Sequence, residues 1–310
     1  MMHDDMNSAK TADDITQISV KSLVGLQQAG RDLAFKPGLI RSPMAGGYRS
    51  AFKGRGMEFS ESRPYQAGDD VRAIDWRVTA RTGKTHTKLF EEERERPVFC
   101  LVDYRQPMFF ATQGCLKSVL AAKLAALLGW SAHFSGDRIG GLIFSEQQHL
   151  EIRPLRGQSA VLNWIHHLVS HSAWQPRQDS SEPSDEHLVN ALIRLRKVIL
   201  PGSLVFLLSD FRALSKAAEQ QLALLSRHNS VSLVFLYDAF EAALPQKGRY
   251  PLQYAGRHVV INAHQKSVRD TYEQRFQEKT DSLKHIAHRF GCQWHVCQTT
   301  TDVAKVFTHP

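Results

Sequence analysis

The chain has 310 residues, of which 42% are hydrophobic and 23% are charged, and it contains four cysteines. These values are ordinary for a globular protein with one large domain and a smaller one, and so few cysteines do not imply disulfides. No segment approaches eighteen uninterrupted apolar residues, and residues 1–14 contain no apolar signal region. The sequence therefore predicts a cytoplasmic protein.

The formal net charge is +8, which would attract nucleic acid, anionic lipid or an acidic protein partner alike. Acidic clusters such as residues 91–93 are interleaved with the basic residues. The sequence has no RNA-binding aromatic motif, zinc-finger spacing or basic helix. Nucleic acid is therefore not the expected main partner.

The N-terminal part of the chain is predicted to contain a tail, a helix and a small basic module. Residues 1–18 have little apolar periodicity, which is typical of a mobile tail. Residues 20–34 place apolar side chains near a 3.6-residue period and predict a helix. Glycine, arginine and polar residues dominate positions 36–88, which favours an irregular or short-stranded module. We assign residues 19–96 to this helix and module, which includes four cations with no intervening acid: Arg41, Arg49, Lys53 and Arg55.

From residue 97 onward apolar strands alternate with amphipathic helices, which is the pattern of an α/β domain. We expect residues 97–310 to form a mostly parallel sheet with helices on both faces. The predicted strands are residues 98–102, 138–144, 204–209, 230–237, 258–261 and 293–297. The predicted helices are residues 116–134, 160–171, 186–200, 215–228 and 266–290.

Two aspartates directly follow predicted buried strands, Asp103 after residues 98–102 and Asp210 after residues 204–209. Ligands of such sheets bind at the carboxyl ends of the strands, near the point where the strand order reverses. Two carboxylates that converge there can hold a hard cation such as Mg²⁺. Alternatively, each aspartate caps a following helix or pairs with a basic side chain.

A segment before this domain is rich in side chains that ionise or form hydrogen bonds, and no amphipathic period explains their order. It reads Arg63-Pro64-Tyr65-Gln66-Ala67-Gly68-Asp69-Asp70-Val71-Arg72-Ala73-Ile74-Asp75-Trp76. One interpretation is a docking surface, because arginine and aromatic side chains are enriched at interface hot spots. The side chains of these types are Arg63, Tyr65, Arg72, Trp76 and Arg81.

The other interpretation is an internal polar network, in which the aspartates of the segment pair with nearby arginines and fix the module against the sheet. Its members would be Asp69, Asp70 and Asp75 with Arg63, Arg72, Arg77 and Arg81. Gly68 would permit a turn. Both interpretations can hold at once.

The same segment resembles the bacterial domain of unknown function 58 family, whose hallmark is R-P-Y-x-x-G-D-D-x-R-x-I-D-W. The later residues Ala80-Arg81-Thr82-Gly83-Lys84 and Glu91-Glu92-Glu93-Arg94-Glu95 extend the resemblance. In that family the signature precedes a von Willebrand factor A-like domain, which the strand and helix order after Pro97 also resembles. The resemblance covers the chain from about Gly46 to the C-terminus.

The resemblance implies partners rather than an activity. Members of the family are typically encoded beside MoxR-type AAA+ ATPases and other von Willebrand A proteins, and are taken to act with them in complex assembly, metal-centre maturation or stress resistance. Many relatives begin with transmembrane helices, which this sequence lacks. The resemblance therefore implies a form that meets a membrane only through its partners.

The resemblance also implies a degenerate metal-ion-dependent adhesion site. Such a site begins with Asp-x-Ser-x-Ser, where this chain has Asp103-Tyr104-Arg105-Gln106-Pro107, so the aspartate is kept and both serines are lost. Asp210 resembles the later aspartate of the site. Because an arginine brings a permanent positive charge and a proline supplies no hydroxyl, we expect the guanidinium of Arg105 to pair with Asp103 or Asp210 in place of a cation. Serines at positions 105 and 107 should then create Mg²⁺ affinity.

The expected function is a non-catalytic interaction or adaptor protein that works with a MoxR-type ATPase without a cofactor. The alternative is a divalent-metal-dependent ligand-binding protein that holds Mg²⁺ through Asp103 and Asp210. An enzyme is not expected, because the sequence contains neither a phosphate-binding loop nor a Gly-x-Ser-x-Gly nucleophile motif.

Overall fold

The computed structural model describes residues 14–33, 57–92, 96–175, 186–212, 214–254 and 257–307. The helices are α1 (Val20–Val24), α2 (Gln27–Asp32), α3 (Trp76–Thr82), α4 (Lys117–Phe134), α5 (Gln158–Ser170), α6 (Glu186–Val198), α7 (Lys216–Ser226), α8 (Ala239–Ala242) and α9 (Lys266–Arg289). The strands are β1 (Met57–Pro64), β2 (His86–Glu92), β3 (Pro97–Asp103), β4 (Arg138–Phe144), β5 (His149–Arg156), β6 (Leu204–Ser209), β7 (Ser230–Tyr237), β8 (Arg249–Tyr254), β9 (Arg257–Asn262) and β10 (Gln293–Gln298). The chain divides into two compact units, residues 41–95 and the remainder.

The smaller unit contains a two-stranded antiparallel hairpin of β1 and β2, with α3 in the connection between them. Asp75 begins α3, since its carboxylate accepts hydrogen bonds from the amides of Arg77 and Val78. Gly83 ends the helix with φ of 70°, a conformation that suits glycine. This part of the chain, expected to be irregular or short-stranded, is therefore ordered over residues 57–92. The predicted run of cations at Arg41, Arg49, Lys53 and Arg55 lies outside the described residues.

The larger unit is an α/β domain with a six-stranded sheet in the order β10-β7-β6-β3-β4-β5. The strands from β10 to β4 are parallel, and β5 runs antiparallel at the edge. The five parallel strands are those predicted from the sequence. Strand β5 was missed, because it is an edge strand in which Ile152 is the only buried residue and Pro154 interrupts the apolar pattern.

Alternate residues of the parallel strands enter two separate cores, as the two-residue period of a strand requires. On one face Val98, Cys100 and Val102 of β3 pack with α4, α5 and Leu23 of α1. On the other face Phe99 and Leu101 pack with α6, α7 and α9. The expected mostly parallel sheet with helices on both faces is thus confirmed.

Strand β9 corrects one prediction about the sheet. Residues 258–261 were expected to belong to the main sheet, but β9 pairs only with β8 in a separate antiparallel hairpin. Val259 and Val260 are exposed there, so the apolar run that suggested a buried strand does not reach the sheet. A third small core of Phe240, Leu244 and Ala263 lies beside this hairpin.

The N-terminal helix also differs from the prediction. The expected single helix over residues 20–34 is two short helices, α1 and α2, with Gly25 at the end of α1. Both pack on α4 of the larger unit rather than belonging to the small module, since Trp130 Nε1 donates to the carbonyl oxygen of Leu23 over 3.1 Å. Residues 14–18 were expected to belong to a mobile tail but pack on the larger unit, because the amide of Leu116 donates to the carbonyl oxygen of Ile15 and Ile18 is buried. The rest of the expected tail lies outside the described residues.

Within the described part of the chain, no helix combines the length and the apolar character needed to cross a bilayer. The most apolar long helix, α4, has 18 residues and packs in the core between the sheet, α2 and α5.

Candidate functional site

The strand order of the main sheet reverses between β3 and β6. Strands β4 and β5 continue on one side of β3, whereas β6, β7 and β10 continue on the other. Such a reversal opens a crevice at the carboxyl ends of the two strands, which is where open α/β sheets commonly bind ligands. Val102 is in register with Leu208, so Asp103 and Asp210 leave the sheet at the same edge. Both aspartates are buried.

The carboxylate of Asp103 is held by Arg105. Arg105 Nε lies 3.0 Å from Oδ1 and 3.1 Å from Oδ2 of Asp103, and Nη2 lies 2.7 Å from Oδ2. The backbone amide of Arg105 donates to Oδ1 over 2.9 Å, and Ser209 Oγ donates to Oδ2 over 2.6 Å. Five donor contacts therefore surround one carboxylate, which has about four lone-pair sites.

Arg105 is itself enclosed. Its Nη1 donates to the carbonyl oxygen of Arg212 over 3.3 Å, and its guanidinium carbon lies 5.4 Å from the centroid of the Phe144 ring. Burial lowers the pKa of Arg105, but the charge and hydrogen bonds of Asp103, together with the charges of Asp210 and Glu146, outweigh burial and raise the pKa above its usual value. Arg105 is therefore a fixed positive charge at this edge of the sheet.

Asp210 has a different partner, Lys117, the first residue of α4. Lys117 is fully buried, and its Nζ donates to Oδ2 of Asp210 over 3.0 Å. The same ammonium group lies 2.8 Å from Oε1 and 3.0 Å from Oε2 of Glu241. Arg212 completes the group, since its Nη2 lies 3.1 Å from Oε1 of Glu241 and its Nε lies 3.7 Å from Oδ2 of Asp210.

The charges of this group explain the acidity of Asp210. Burial would raise the pKa of Asp210, but the positive charges of Lys117, Lys279 and Arg212 outweigh burial and hold that pKa below its usual range. Lys279 lies on α9, and burial lowers its pKa although the charge of Asp210 opposes the effect. Asp210 is therefore ionised at neutral pH, and cations of the chain lie beside both aspartates.

Asp238 stands at the end of the next strand, β7, and is satisfied without a cation. It accepts hydrogen bonds from the amides of Thr112 and Phe240, over 2.9 Å each, and from Thr299 Oγ1 over 2.9 Å. Its own amide donates to Oε2 of Glu241 over 3.0 Å, which forms a capping box at α8. Asp238 thus ties the loop before α4 and the turn after β10 to the strand ends.

This arrangement leaves little room for a metal ion at the two aspartates. The acceptor sites of Asp103 are occupied by Arg105 and Ser209, and Asp210 faces Lys117. Pro107 lies in a 3₁₀ turn from Gln106 to Met108 and supplies no hydroxyl. In the described residues, no group of three or more histidine, cysteine, aspartate or glutamate side chains is arranged to bind a metal.

The signature segment is organised around a different set of contacts. Arg63 Nη2 lies 2.6 Å from Oδ1 of Asp69, as the network interpretation expected. The amide of Gln66 donates to Oδ2 of Asp69, and Tyr65 Oη donates to its carbonyl oxygen. Gly68 adopts φ of 106° in this turn, just after Pro64 ends β1.

The other aspartates of the signature segment do not form the expected ion pairs. Asp70 accepts from the amide of Arg72, and Asp75 caps α3 and accepts from Ser62 Oγ over 2.9 Å. No ion pair joins either aspartate to Arg72, Arg77 or Arg81 in the part of the chain that is described. Asp70 and Asp75 bind backbone amides instead, because short aspartate side chains reach nearby amides more easily than they reach guanidinium groups. Trp76, Arg72 and Arg81 are left exposed.

Comparison with known proteins identifies the family. The sequence profile described as "Protein of unknown function DUF58" matches residues 61–282, which include the signature segment and both aspartates of the sheet edge. The chain belongs to the DUF58 family.

Curated relatives and solved structures are also similar to this DUF58 protein. "Uncharacterized protein Rv1480" of Mycobacterium tuberculosis and "Uncharacterized protein Mb1516" of Mycobacterium bovis are each 30% identical over 215 residues, which are 69% of this chain and 66% of the relative. The chain thus spans about two thirds of the length of these relatives. BatB from Bacteroides thetaiotaomicron has 11% identity and a TM-score of 0.38, over 63% of this chain and 98% of that one. A membrane-spanning protein from Vibrio fischeri has 14% identity and a TM-score of 0.23, over 68% and 94% of the two chains.

The residues that the sequence analysis missed in this DUF58 protein are Lys117 and Glu241. Lys117 is the second residue of the predicted helix 116–134, in which most other residues are apolar or small. A lysine at the start of such a helix indicates a buried cation. Glu241 follows Asp238 by three residues, which is the spacing of a capping box. Neither pattern indicates that the two side chains meet Asp210, because they come from three separate segments of the chain.

Proposed function

We propose that this DUF58 protein is a non-catalytic adaptor that works with a MoxR-type AAA+ ATPase in the assembly or protection of protein complexes. Family membership and the resemblance of its domain to von Willebrand A domains support the proposal. Those domains bind ligands at the carboxyl edge of a parallel sheet, and this chain keeps two aspartates at that edge.

The observation that carries the proposal is the replacement of an external cation by side chains of the chain itself. Arg105 forms an ion pair with Asp103, and Lys117 forms ion pairs with Asp210 and Glu241. Together with Arg212 and Lys279, four cations face the four carboxylates of Asp103, Asp210, Glu241 and Glu146, so the site has no surplus of negative charge to attract Mg²⁺. Binding of a partner at this edge would therefore not depend on a metal ion.

The same charges disfavour a catalytic role for the two aspartates. A carboxylate that acts as a general base needs a free oxygen and a pKa close to the working pH. Asp210 has a pKa held far below neutrality, and the oxygens of Asp103 already accept five contacts. The group is better suited to shaping a rigid surface than to transferring protons.

Two measurements test the proposal. The tagged protein is purified from its host after gentle cross-linking, and bound proteins are identified by mass spectrometry. Recovery of a MoxR-type ATPase supports the adaptor function, whereas its absence contradicts it. Separately, Mg²⁺ is titrated into the purified protein in a calorimeter. No heat of binding is expected, and micromolar affinity would show that the metal-dependent alternative is correct.

A further inference from the structure

The exposed side of α3 presents an unusual combination of side chains. Trp76, the first residue of the helix, is 70% exposed, and Val71 in the preceding turn is 62% exposed. Arg72, Arg77 and Arg81 are also exposed. We call these five residues the indole–arginine surface. A tryptophan usually buries a large part of its area in a folded protein, so its position here requires an explanation.

The carboxylates of the signature segment interact with groups outside this surface or with backbone amides. Asp69 forms an ion pair with Arg63, and Asp75 is buried and accepts a hydrogen bond from Ser62 Oγ. Asp70 is bound to a backbone amide. No carboxylate in the described residues forms an ion pair with Arg72, Arg77 or Arg81. The guanidinium groups of Arg72, Arg77 and Arg81 are thus exposed and form no ion pair within the described residues, whereas Arg63 is paired with Asp69.

The spacing of the two arginines of α3 is unfavourable to the helix, although Arg81 in the last turn suits the helix dipole. Arg77 and Arg81 are four residues apart and therefore lie on one side of α3, where like charges destabilise a helix by about 0.2–0.5 kcal/mol per pair. Neither arginine contributes to the cap, which Asp75 provides. Like-charged arginines beside a largely exposed tryptophan are typical of a binding site.

We infer that the indole–arginine surface binds an acidic segment of a partner protein, in which carboxylates pair with the guanidinium groups and an apolar pocket receives the indole. Guanidinium groups form bidentate contacts with carboxylates, and tryptophan with arginine is the pair of residue types most enriched at binding hot spots. The inference rests on the proposed adaptor function, and it names the surface and the chemistry by which the partner is recognised.

The charge around the surface favours protein over nucleic acid. Residues 41–95 contain eleven lysines and arginines against nine aspartates and glutamates, so this unit has only a small surplus of positive charge. Nucleic-acid binding sites need a clear surplus of positive charge, because phosphates are contacted along a length of backbone. Three guanidinium groups beside apolar side chains fit a short acidic segment better.

The test uses the full chain, with Trp76→Ala and the double variant Arg77→Glu/Arg81→Glu. Leu200→Ala and Arg153→Glu are matched controls, because Leu200 is 68% exposed and Arg153 is an exposed cation on β5, both in the larger unit. Binding is measured by fluorescence anisotropy to a labelled peptide of alternating glutamate and leucine, to its glutamine counterpart, and to a single-stranded oligonucleotide. Each protein is also tested for capture of the MoxR-type ATPase.

The inference expects the acidic peptide to bind best and both surface variants to weaken it at least tenfold, with the controls unchanged. Equal binding by all variants, or tighter binding of the oligonucleotide, would overturn it.

Capture of the ATPase distinguishes the inference about the surface from the proposed adaptor function. If the surface variants still capture the ATPase as well as the original chain does, the surface is wrongly assigned and the adaptor function stands. If the original chain binds the peptide through this surface but captures no ATPase, the adaptor function fails and the surface stands.

Discussion

Lys117 Nζ donates a hydrogen bond to Oδ2 of Asp210 over 3.0 Å, and neither side chain has more than 2% of its surface exposed. The two residues come from the start of α4 and the end of β6. A buried ion pair of this kind contributes less to stability than its distance suggests, because both charges lose their hydration. Removing one partner, however, leaves the other charge buried and uncompensated.

The first prediction follows from this asymmetry. Lys117→Met should lower the free energy of unfolding by about 3–5 kcal/mol, because Asp210 would lose its main cation. Lys216→Met is the matched control, since Lys216 is also the first residue of a helix but is exposed, and its effect should be small. Urea unfolding followed by circular dichroism measures both. The double variant Lys117→Met/Asp210→Asn should recover part of the loss, and no recovery would mean that the pair is not coupled.

The second prediction concerns metal affinity. The sequence suggested that serines at positions 105 and 107 would suffice for Mg²⁺ binding. In such a variant, however, the ammonium group of Lys117 would still be hydrogen-bonded to Asp210. We therefore expect no magnesium effect on the melting temperature of the original chain or of Arg105→Ser/Pro107→Ser. Adding Lys117→Ser should make the melting temperature rise with Mg²⁺ and fall again with EDTA. An equal response of the double and triple variants would exclude Lys117 as a substitute for the cation.

The third prediction concerns pH. The pKa values of Asp210 and Asp238 are lowered in the folded state, in which lysine and hydrogen bonds outweigh the effect of burial. The unfolded chain, with aspartate pKa values of about 3.9, binds protons first as pH falls. The stabilisation from both groups is therefore fully present above about pH 4 and is lost progressively at lower pH.

Urea titrations at a series of pH values measure this dependence. Asp238→Asn should make the loss of stability at low pH less steep, since one of the responsible groups is removed. Asp270→Asn is the control, because Asp270 is exposed on α9 and should leave the slope unchanged. Identical slopes for Asp238→Asn and the original chain would contradict the assignment.

The fourth prediction concerns the signature segment. Asp75→Ala removes the cap of α3 and the hydrogen bond to Ser62 Oγ, so it should reduce the protection of residues 57–92 against amide hydrogen exchange. Asp70→Ala removes a single contact to the amide of Arg72 and should have a smaller effect. Mass spectrometry of the exchanged protein distinguishes the two. Protection in β3 to β7 should not change in either variant.

The fifth prediction concerns the loop that leads to Lys117. A Cβ atom at Gly114 would collide with the carbonyl oxygen of Thr299, whereas one at Gly202 meets no described atom within 4 Å. Both glycines have positive φ, so both alanine variants should lose about 1–2 kcal/mol through backbone strain. Gly114→Ala should lose about 1–3 kcal/mol more through overpacking. Thermal unfolding would show equal losses if the loop can move aside.

The parallel strands and the helices that cover them could be predicted from the sequence, whereas the edge strand β5 and the separate hairpin of β8 and β9 could not. The parallel strands are buried on both faces and appear as short apolar runs, which made residues 138–144, 204–209 and 230–237 recognisable to the residue. Strand β5 carries the polar pattern of an edge, and β9 carries the apolar pattern of a buried strand without being one. Edge strands and hairpins depend on what lies beside them, and a single sequence does not contain that information.

The candidate site, too, could be predicted from the sequence only in part. Asp103 and Asp210 were identified because each directly follows its strand, and a guanidinium partner was expected from the position of Arg105. The pairing of Lys117 with Asp210 and Glu241 joins segments that are 93 and 124 residues apart along the chain. Only the packing of α4 against the sheet brings them together. Long-range ion pairs of this kind have no local sequence signal.

The ammonium group of Lys117 is part of the protein chain, whereas a metal ion would be bound reversibly. A bound magnesium ion exchanges with solvent, and nucleotide phosphates compete for it. A tethered ammonium group cannot be diluted, exchanged or withdrawn by such competitors. The strand ends of this protein therefore keep the same charge whether magnesium is abundant or scarce.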